Sequence, residues 1–271
     1  HNILLVGPPG AGKTMLARRL PTIMPQLSYE EMIEVTKVYS AAGLLHGRGA
    51  VSVRPFRAPH HTITDAGLVG GGGIPRPGEV SLAHHGVLFL DEFPEFRRSV
   101  LEDLRQPLED GCITVARSAM TVTFPAAFML VAAMNPCEEV FRGGMEEVGE
   151  CTESQRSRYY AKISGPLLDR IDIQVEVPAV KFRDIRARGA GESSEVVRAR
   201  VDAARERQRK RFAGLGIFAN GQMGTREVKA FCHITEESER LLETAVTKLG
   251  FSARAYDRVL KVARTIADLA G

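Results

Sequence analysis

Three runs of consecutive apolar residues stand out along the chain, and each is followed at once by residues that turn or carry charge. Residues 3–6 (ILLV), 87–90 (VLFL) and 128–134 (FMLVAAM) offer no polar position to solvent, the pattern of strands buried on both faces of a parallel sheet. Residues 171–177 (IDIQVEV) form a further strand that Pro178 closes. Helical spacing appears between these runs. Met15, Leu16 and Leu20 share such a pattern, and residues 28–39 are amphipathic, with Ser28 placed to cap and Glu31 three positions on. Residues 62–68 read as a short helix that LVGGGG and PRPGE cannot continue, and residues 100–108 read as another helix. Residues 112–116 and 120–124 alternate at strand period across Arg117-Ser118-Ala119, which predicts a hairpin with a charged tip. Two helices close the chain, 236–249 and 253–269, with Thr235 and Ser252 as their caps.

The 271 residues are enough for one large or two modest domains that bury about three quarters of their unfolded surface. Apolar content of 44% and charged content of 25% are ordinary globular values and exclude a disordered or fibrous chain. The longest apolar run, 126–134, falls well short of the roughly 20 residues that cross a bilayer, so no membrane partner is expected. Cys112, Cys137, Cys151 and Cys232 are widely scattered, which fits a reduced, cytoplasmic compartment better than a disulfide framework. The chain starts at His1 directly in a strand, with no leader, as an excerpt of a longer protein would. A net charge of +3 is too small to imply nucleic acid, so the distribution of charge matters more.

Candidate chemistry sits where the buried strands end. After residues 3–6 comes Gly7-Pro8-Pro9-Gly10-Ala11-Gly12-Lys13-Thr14, a strand, a glycine-rich loop and a helix start. Such a loop turns backbone N–H groups inward around phosphate oxygens, and the helix adds its positive end. Lys13 would reach the β- and γ-phosphates of ATP, and the Thr14 hydroxyl would hold Mg²⁺. A bound triphosphate also needs a carboxylate for the metal and a polarised water. Residues 86–92 (GVLFLDE) supply both at a strand's carboxyl end: Asp91 for Mg²⁺ and Glu92 to orient and deprotonate the water. Asn135, after the strand 128–134, could bond water and γ-phosphate, although Asn before Pro136 also suits a plain turn.

These residues, with RPFRAPHHT, RQPLEDG, VAAMNPC, SGPLLDRID and SARAYDRVL, resemble the magnesium-chelatase-like group of the AAA+ superfamily, in particular its ComM/YifB family, over nearly the whole chain. The resemblance implies an α/β fold: a five-stranded parallel αβα nucleotide-binding core over 1–180, a helical lid over 181–271, β-hairpin insertions and a ring, usually a hexamer. It makes Asn135 the first sensor of the γ-phosphate, Arg170 an arginine finger for the neighbouring subunit, and Arg254 the second sensor, with Arg258 one turn away as an alternative. The glycine-rich stretch near residue 70 becomes an insertion directed to the ring's centre. Arg117 takes the place of a basic hairpin tip that contacts DNA in replicative-helicase relatives; an ordinary exposed arginine is the plainer alternative.

Residues 181–188 and 198–211 are rich in arginine. In the second stretch Val197, Val201 and Ala204 form an apolar face, while Arg200, Arg205, Arg207, Arg209, Lys210 and Arg211 face elsewhere, as a solvated face or as a contact with nucleic acid or a subunit. The adjacent pairs His60-His61 and His84-His85 are not expected to share a metal, because neighbouring side chains on a strand point opposite ways. Cys137 and Cys151 give two thiolates where a structural zinc wants four ligands. The function implied is ATP-driven movement along single-stranded or branched DNA, with branch migration in recombination and natural transformation. A magnesium-chelatase motor acting on a partner protein is the alternative. A σ54-activator ATPase would need a GAFTGA loop, which is absent, and a protease would need a Ser-Lys or Ser-His-Asp set that the chain does not offer.

Overall fold

The computed structural model describes residues 1–47, 49–117, 120–137, 151–180, 191–249 and 252–271. The chain divides into two compact units, one made of 2–22 with 26–189, the other of His1, 23–25 and 190–271. Among the described residues the first contains nine strands in chain order: β1 (Ile3–Val6), β2 (Phe56–Arg57), β3 (Gly70–Gly71), β4 (Arg76–Pro77), β5 (Val87–Leu90), β6 (Cys112–Arg117), β7 (Met120–Pro125), β8 (Met129–Met134) and β9 (Ile173–Glu176). Five of them form a wholly parallel sheet in the order β2-β5-β8-β1-β9. The runs without polar positions take the centre, where both faces are covered: all four residues of β5 and the last five of β8 are buried. β9 lies at an edge and is mostly exposed, as its alternating sequence requires.

The register brings the carboxyl ends of three strands level. Val6 pairs with Met134 and Leu90 with Ala132, so Gly7, Asp91 and Asn135 follow their strands out of one edge. Asn2 fixes the opposite end. Its side chain accepts from the Leu130 amide at 2.9 Å and donates to the Arg170 carbonyl at 2.8 Å, tying β1 to both of its neighbours. Leu88, Leu90, Leu130, Leu101, Leu104 and Leu167 belong to one core beneath this sheet.

The hairpin β6–β7 forms as its alternation demands. Ile113, Val115 and Phe124 are buried, while Thr114 and Thr123 meet on its wet face at 3.0 Å. The expected helix 100–108 is two short helices, Arg98–Asp103 and Arg105–Asp110. Pro107 has no amide for the Asp103 carbonyl, and the ladder breaks there. The short helix near residue 65 starts three positions late, at Asp65, because the Thr64 hydroxyl caps it by accepting from the Gly67 amide. The glycine-rich insertion contains the small antiparallel pair β3–β4.

The cysteine reading needs correction, because Cys137 and Cys151 are joined by a disulfide and buried in the core, while Cys112 and Cys232 are free. The two lie 14 positions apart, and the fold brings their Cα atoms to 6.2 Å, which spacing along the chain could not signal. Bonded to each other, the two sulfurs are unavailable as thiolate ligands.

The second unit is helical: Ser194–Arg211, Thr225–Phe231, Glu236–Leu249 and Ala253–Ala270. Phe212, Met223, Val228 and Leu260 form its core. Arg211 does not lie on a solvated face. Both of its terminal nitrogens reach the carboxylate of Asp268, which is 2% exposed and also accepts from Asn220. The basic stretch 181–188 lies outside the described residues. Among those described, no helix is long and apolar enough to cross a membrane.

Candidate active site

Gly7 leaves β1 with its amide on the Met134 carbonyl at 3.2 Å, and a Cβ there would lie 2.1 Å from the Val177 carbonyl oxygen. Only glycine lets the loop start this close to the strand beside it. Pro8 accepts from the Ala11 amide at 3.3 Å, Pro9 and Gly10 are exposed at the loop's crest, and Gly12 brings the chain into the helix Lys13–Ile23 with φ +90°. That helix has no acceptors of its own for its first-turn amides, which point out of its start.

Lys13 turns back over the loop. Its ammonium donates to the carbonyls of Gly7 at 2.6 Å and Pro8 at 2.9 Å, and to the Asn135 side-chain oxygen at 2.9 Å. Burial lowers its pKa, and the nearby Asp91 charge partly offsets this. The Thr14 hydroxyl donates to one oxygen of Asp91 at 2.7 Å, and the other oxygen accepts from the Glu92 amide at 3.0 Å. Three strand ends therefore converge: β1 brings the loop, β5 the two acids and β8 the amide.

Glu92 has left-handed backbone angles, φ 53° and ψ 46°, an uncommon state for a residue other than glycine. Its carboxylate is more than half exposed and lies 3.0 Å from His61 Nδ1. Behind Asn135, the buried Tyr159 hydroxyl donates to its backbone carbonyl at 2.9 Å, and burial pushes the Tyr159 pKa up to about 12. Tyr159 lies in no motif that marks it, and nothing in RPFRAPHHT, which contains His61, ties that residue to Glu92; only the fold sets Tyr159 beside Asn135 and His61 beside Glu92.

The donor set fits the group it would receive. A lysine, first-turn amides and glycine turns suit phosphate oxygens, while the paired hydroxyl and carboxylate of Thr14 and Asp91 are the hard oxygen ligands Mg²⁺ takes. Arg170 lies elsewhere in this unit, its side chain 12% exposed, bonded to the Pro166 carbonyl at 2.6 Å and paired with Glu109. Arg117 ends β6 opposite Met120, and its side chain is outside the described residues. Arg254 belongs to the helical unit, exposed at the start of Ala253–Ala270 just after the cap Ser252.

The histidine pair His84-His85 departs from the reasoning that set it apart. These residues precede β5 in a turn, not a strand, with His85 at φ 55°, and their rings lie 3.8 Å apart over one carboxylate. Glu34 accepts from His84 Nε2 at 3.2 Å and from His85 Nε2 at 2.6 Å. All three ligand atoms lie within 4.8 Å of one another. His84 Nδ1 nevertheless accepts the Ala127 amide at 3.1 Å, which puts the proton on Nε2 and occupies the lone pair a metal would use there.

A twisted parallel sheet with a glycine-lysine-threonine loop, an Asp-Glu strand end and a separate helical unit defines the AAA+ P-loop fold. Family models agree: "Magnesium chelatase, subunit ChlI" matches residues 1–185 and "Magnesium chelatase, subunit ChlI C-terminal" matches 191–271. An uncharacterized protein YifB of Escherichia coli is 46% identical over 270 residues, covering 99% of this chain and 52% of the relative. Competence protein ComM of Haemophilus influenzae is 46% identical over 272 residues, covering 100% and 52%. A magnesium-chelatase 67 kDa subunit of Chlorobaculum parvum is 26% identical over 141 residues, covering 52% and 20%. The chain belongs to the magnesium-chelatase-like family of AAA+ proteins, in its ComM/YifB branch. It spans about half the length of the curated relatives it matches most fully.

Proposed function

We propose that the chain is the ATP-hydrolysing module of a ring motor, a cytoplasmic hexamer, that moves along single-stranded or branched DNA and drives branch migration in recombination and natural transformation. The observation that supports the ATP part is the meeting of Lys13 with Asn135 and of Thr14 with Asp91, a cation, a hydroxyl–carboxylate oxygen pair and a side-chain amide gathered around one loop.

In this reading the loop 7–14 binds the phosphates through backbone N–H groups of residues after its two prolines and through Lys13, which exchanges its carbonyl acceptors for phosphate oxygens. Thr14 and Asp91 would hold Mg²⁺, which when bound would offset the negative charge of the phosphates. Glu92 takes a proton from the attacking water as the water oxygen bonds to the γ-phosphorus and the bond to the β-phosphate oxygen breaks, releasing ADP and phosphate. Glu92 must first leave His61, with which it is paired at 3.0 Å. Asn135 orients the water. Arg170 serves the site of a neighbouring protomer, where a guanidinium matters only as charge spreads in the transition state, a contribution of about 10³ to 10⁵ in related systems. The second sensor is assigned to Arg254 by resemblance.

The DNA part has separate support: the hairpin β6–β7, which the phosphate machinery does not use, ends in Arg117, and one full-length match to this chain is named a competence protein. The match to a magnesium-chelatase subunit supports a second reading, in which the same motor acts on a partner protein. ATP hydrolysis measured with and without single-stranded and four-way-junction DNA, over a salt series, separates them. DNA stimulation that weakens with ionic strength is expected, because backbone contacts release counterions. Hydrolysis indifferent to DNA at every salt would favour the partner-protein motor.

A further inference from the structure

Arg170 and Glu109 come from segments far apart in sequence. Arg170 follows the short helix Gly165–Leu168, and Glu109 is the penultimate residue of Arg105–Asp110. The guanidinium is held at two nitrogens inside its own protomer, one on the Pro166 carbonyl at 2.6 Å and the other on the Glu109 carboxylate. Held there, two of its donors are occupied by acceptors of its own protomer.

Glu109 also stands at the root of the hairpin. Two residues later the chain turns at Gly111, φ 66°, and immediately becomes β6, with the Ala126 amide closing the base on the Gly111 carbonyl at 2.7 Å. The strand pairing runs without interruption from Cys112 opposite Pro125 to Arg117 opposite Met120. A load on the far end of these two strands is therefore carried by a continuous hydrogen-bonded ladder whose base, Cys112, follows Glu109 by three positions.

We propose that Glu109 is a positioning residue that restrains the arginine: it keeps Arg170 in its own protomer at rest, and displacement of the hairpin by nucleic acid loosens the pair and frees the guanidinium for the adjoining site. This rests on the reading of Arg170 as the finger. Only the fraction of protomers with a free arginine would support hydrolysis, so the restraint acts as a population factor on the rate. The Glu109 side chain is 55% exposed, which limits the pair to the range of partly screened ion pairs, a factor of about two to five.

The experiment is steady-state ATP hydrolysis by the purified chain and by Glu109→Gln, Glu109→Asp, Arg170→Ala and the double variant Glu109→Gln/Arg170→Ala, with and without a single-stranded oligonucleotide. Glu109→Gln should raise kcat without DNA about two- to fivefold at unchanged KM for ATP, and shrink the stimulation by DNA to match. Glu109→Asp, which keeps the charge, should restore part of the restraint. The double variant should be as inactive as Arg170→Ala. A purely structural Glu109 predicts the opposite, a lower kcat in Glu109→Gln, and that result overturns the proposal, as does an unchanged kcat or a gain that survives in the double variant. Failure of the underlying reading looks different: Arg170→Ala alone would then hydrolyse ATP at the normal rate.

Discussion

Lowering the pH from 7.5 to 4.5 should weaken the sheet unit through His84. This ring is 5% exposed, its Nδ1 already accepts the Ala127 amide, and a second proton would set two N–H groups against each other. Burial, aided by the adjacent His85, lowers its pKa from 6.5 to about 4, although Glu34 and Glu31 pull it the other way. The unfolded chain therefore takes up the proton first. Stability from this residue is complete above pH 6.5 and is lost as pH falls toward 4, at up to about 1.4 kcal/mol per pH unit and about 3 kcal/mol in total. Urea unfolding followed by circular dichroism across this range, for the parent chain and His84→Asn, reads the effect. The Asn oxygen can still accept the Ala127 amide but carries no titrating group. At pH 7.5 the variant should be about 1–2 kcal/mol less stable, from the lost bond to Glu34 and lost volume, and by pH 4.5 that gap should close or reverse. Parallel pH profiles, or a His84 resonance titrating near 6.5, would refute the reasoning.

Lys13→Ala should abolish binding of a fluorescent ATP analogue while Glu92→Gln binds it and holds ATP unhydrolysed; normal turnover by either variant would remove the site assignment. Gly7→Ala drives a methyl against the Val177 carbonyl, and should cost about 1–3 kcal/mol of stability with loss of nucleotide binding, as read by thermal melts with and without ATP. Arg211→Ala leaves the buried Asp268 carboxylate with Asn220 and, at 3.6 Å, Arg264 as its remaining partners, and should destabilise the helical unit by about 3 kcal/mol in urea titrations; a loss under 1 kcal/mol would count against the burial of that pair.

Local signals were legible where one stretch of chain settles the matter by itself. The strands Ile3–Val6 and Val87–Leu90, the capping box at Ser28 and Glu31, and the hairpin across Arg117 follow from apolar runs, alternation and cap chemistry. The helix break at Pro107 was also written locally, in a ring that cannot donate, but the surrounding apolar spacing masked it. Arg211 shows the limit from the other side: its own helix offers no reason for burial, and Asp268 supplies one from across the unit.

The sequence by itself determined the phosphate loop, the acidic strand end and the buried strands that carry them, because each is a contiguous pattern whose backbone geometry and chemistry are set within a few residues. Tertiary structure alone decided which side chains meet: Lys13 with Asn135, Glu92 with His61, Arg170 with Glu109, the two histidines over Glu34, and Cys137 with Cys151. Such meetings depend on strand order and register, which are fixed by how several buried surfaces pack at once, so no single segment records them.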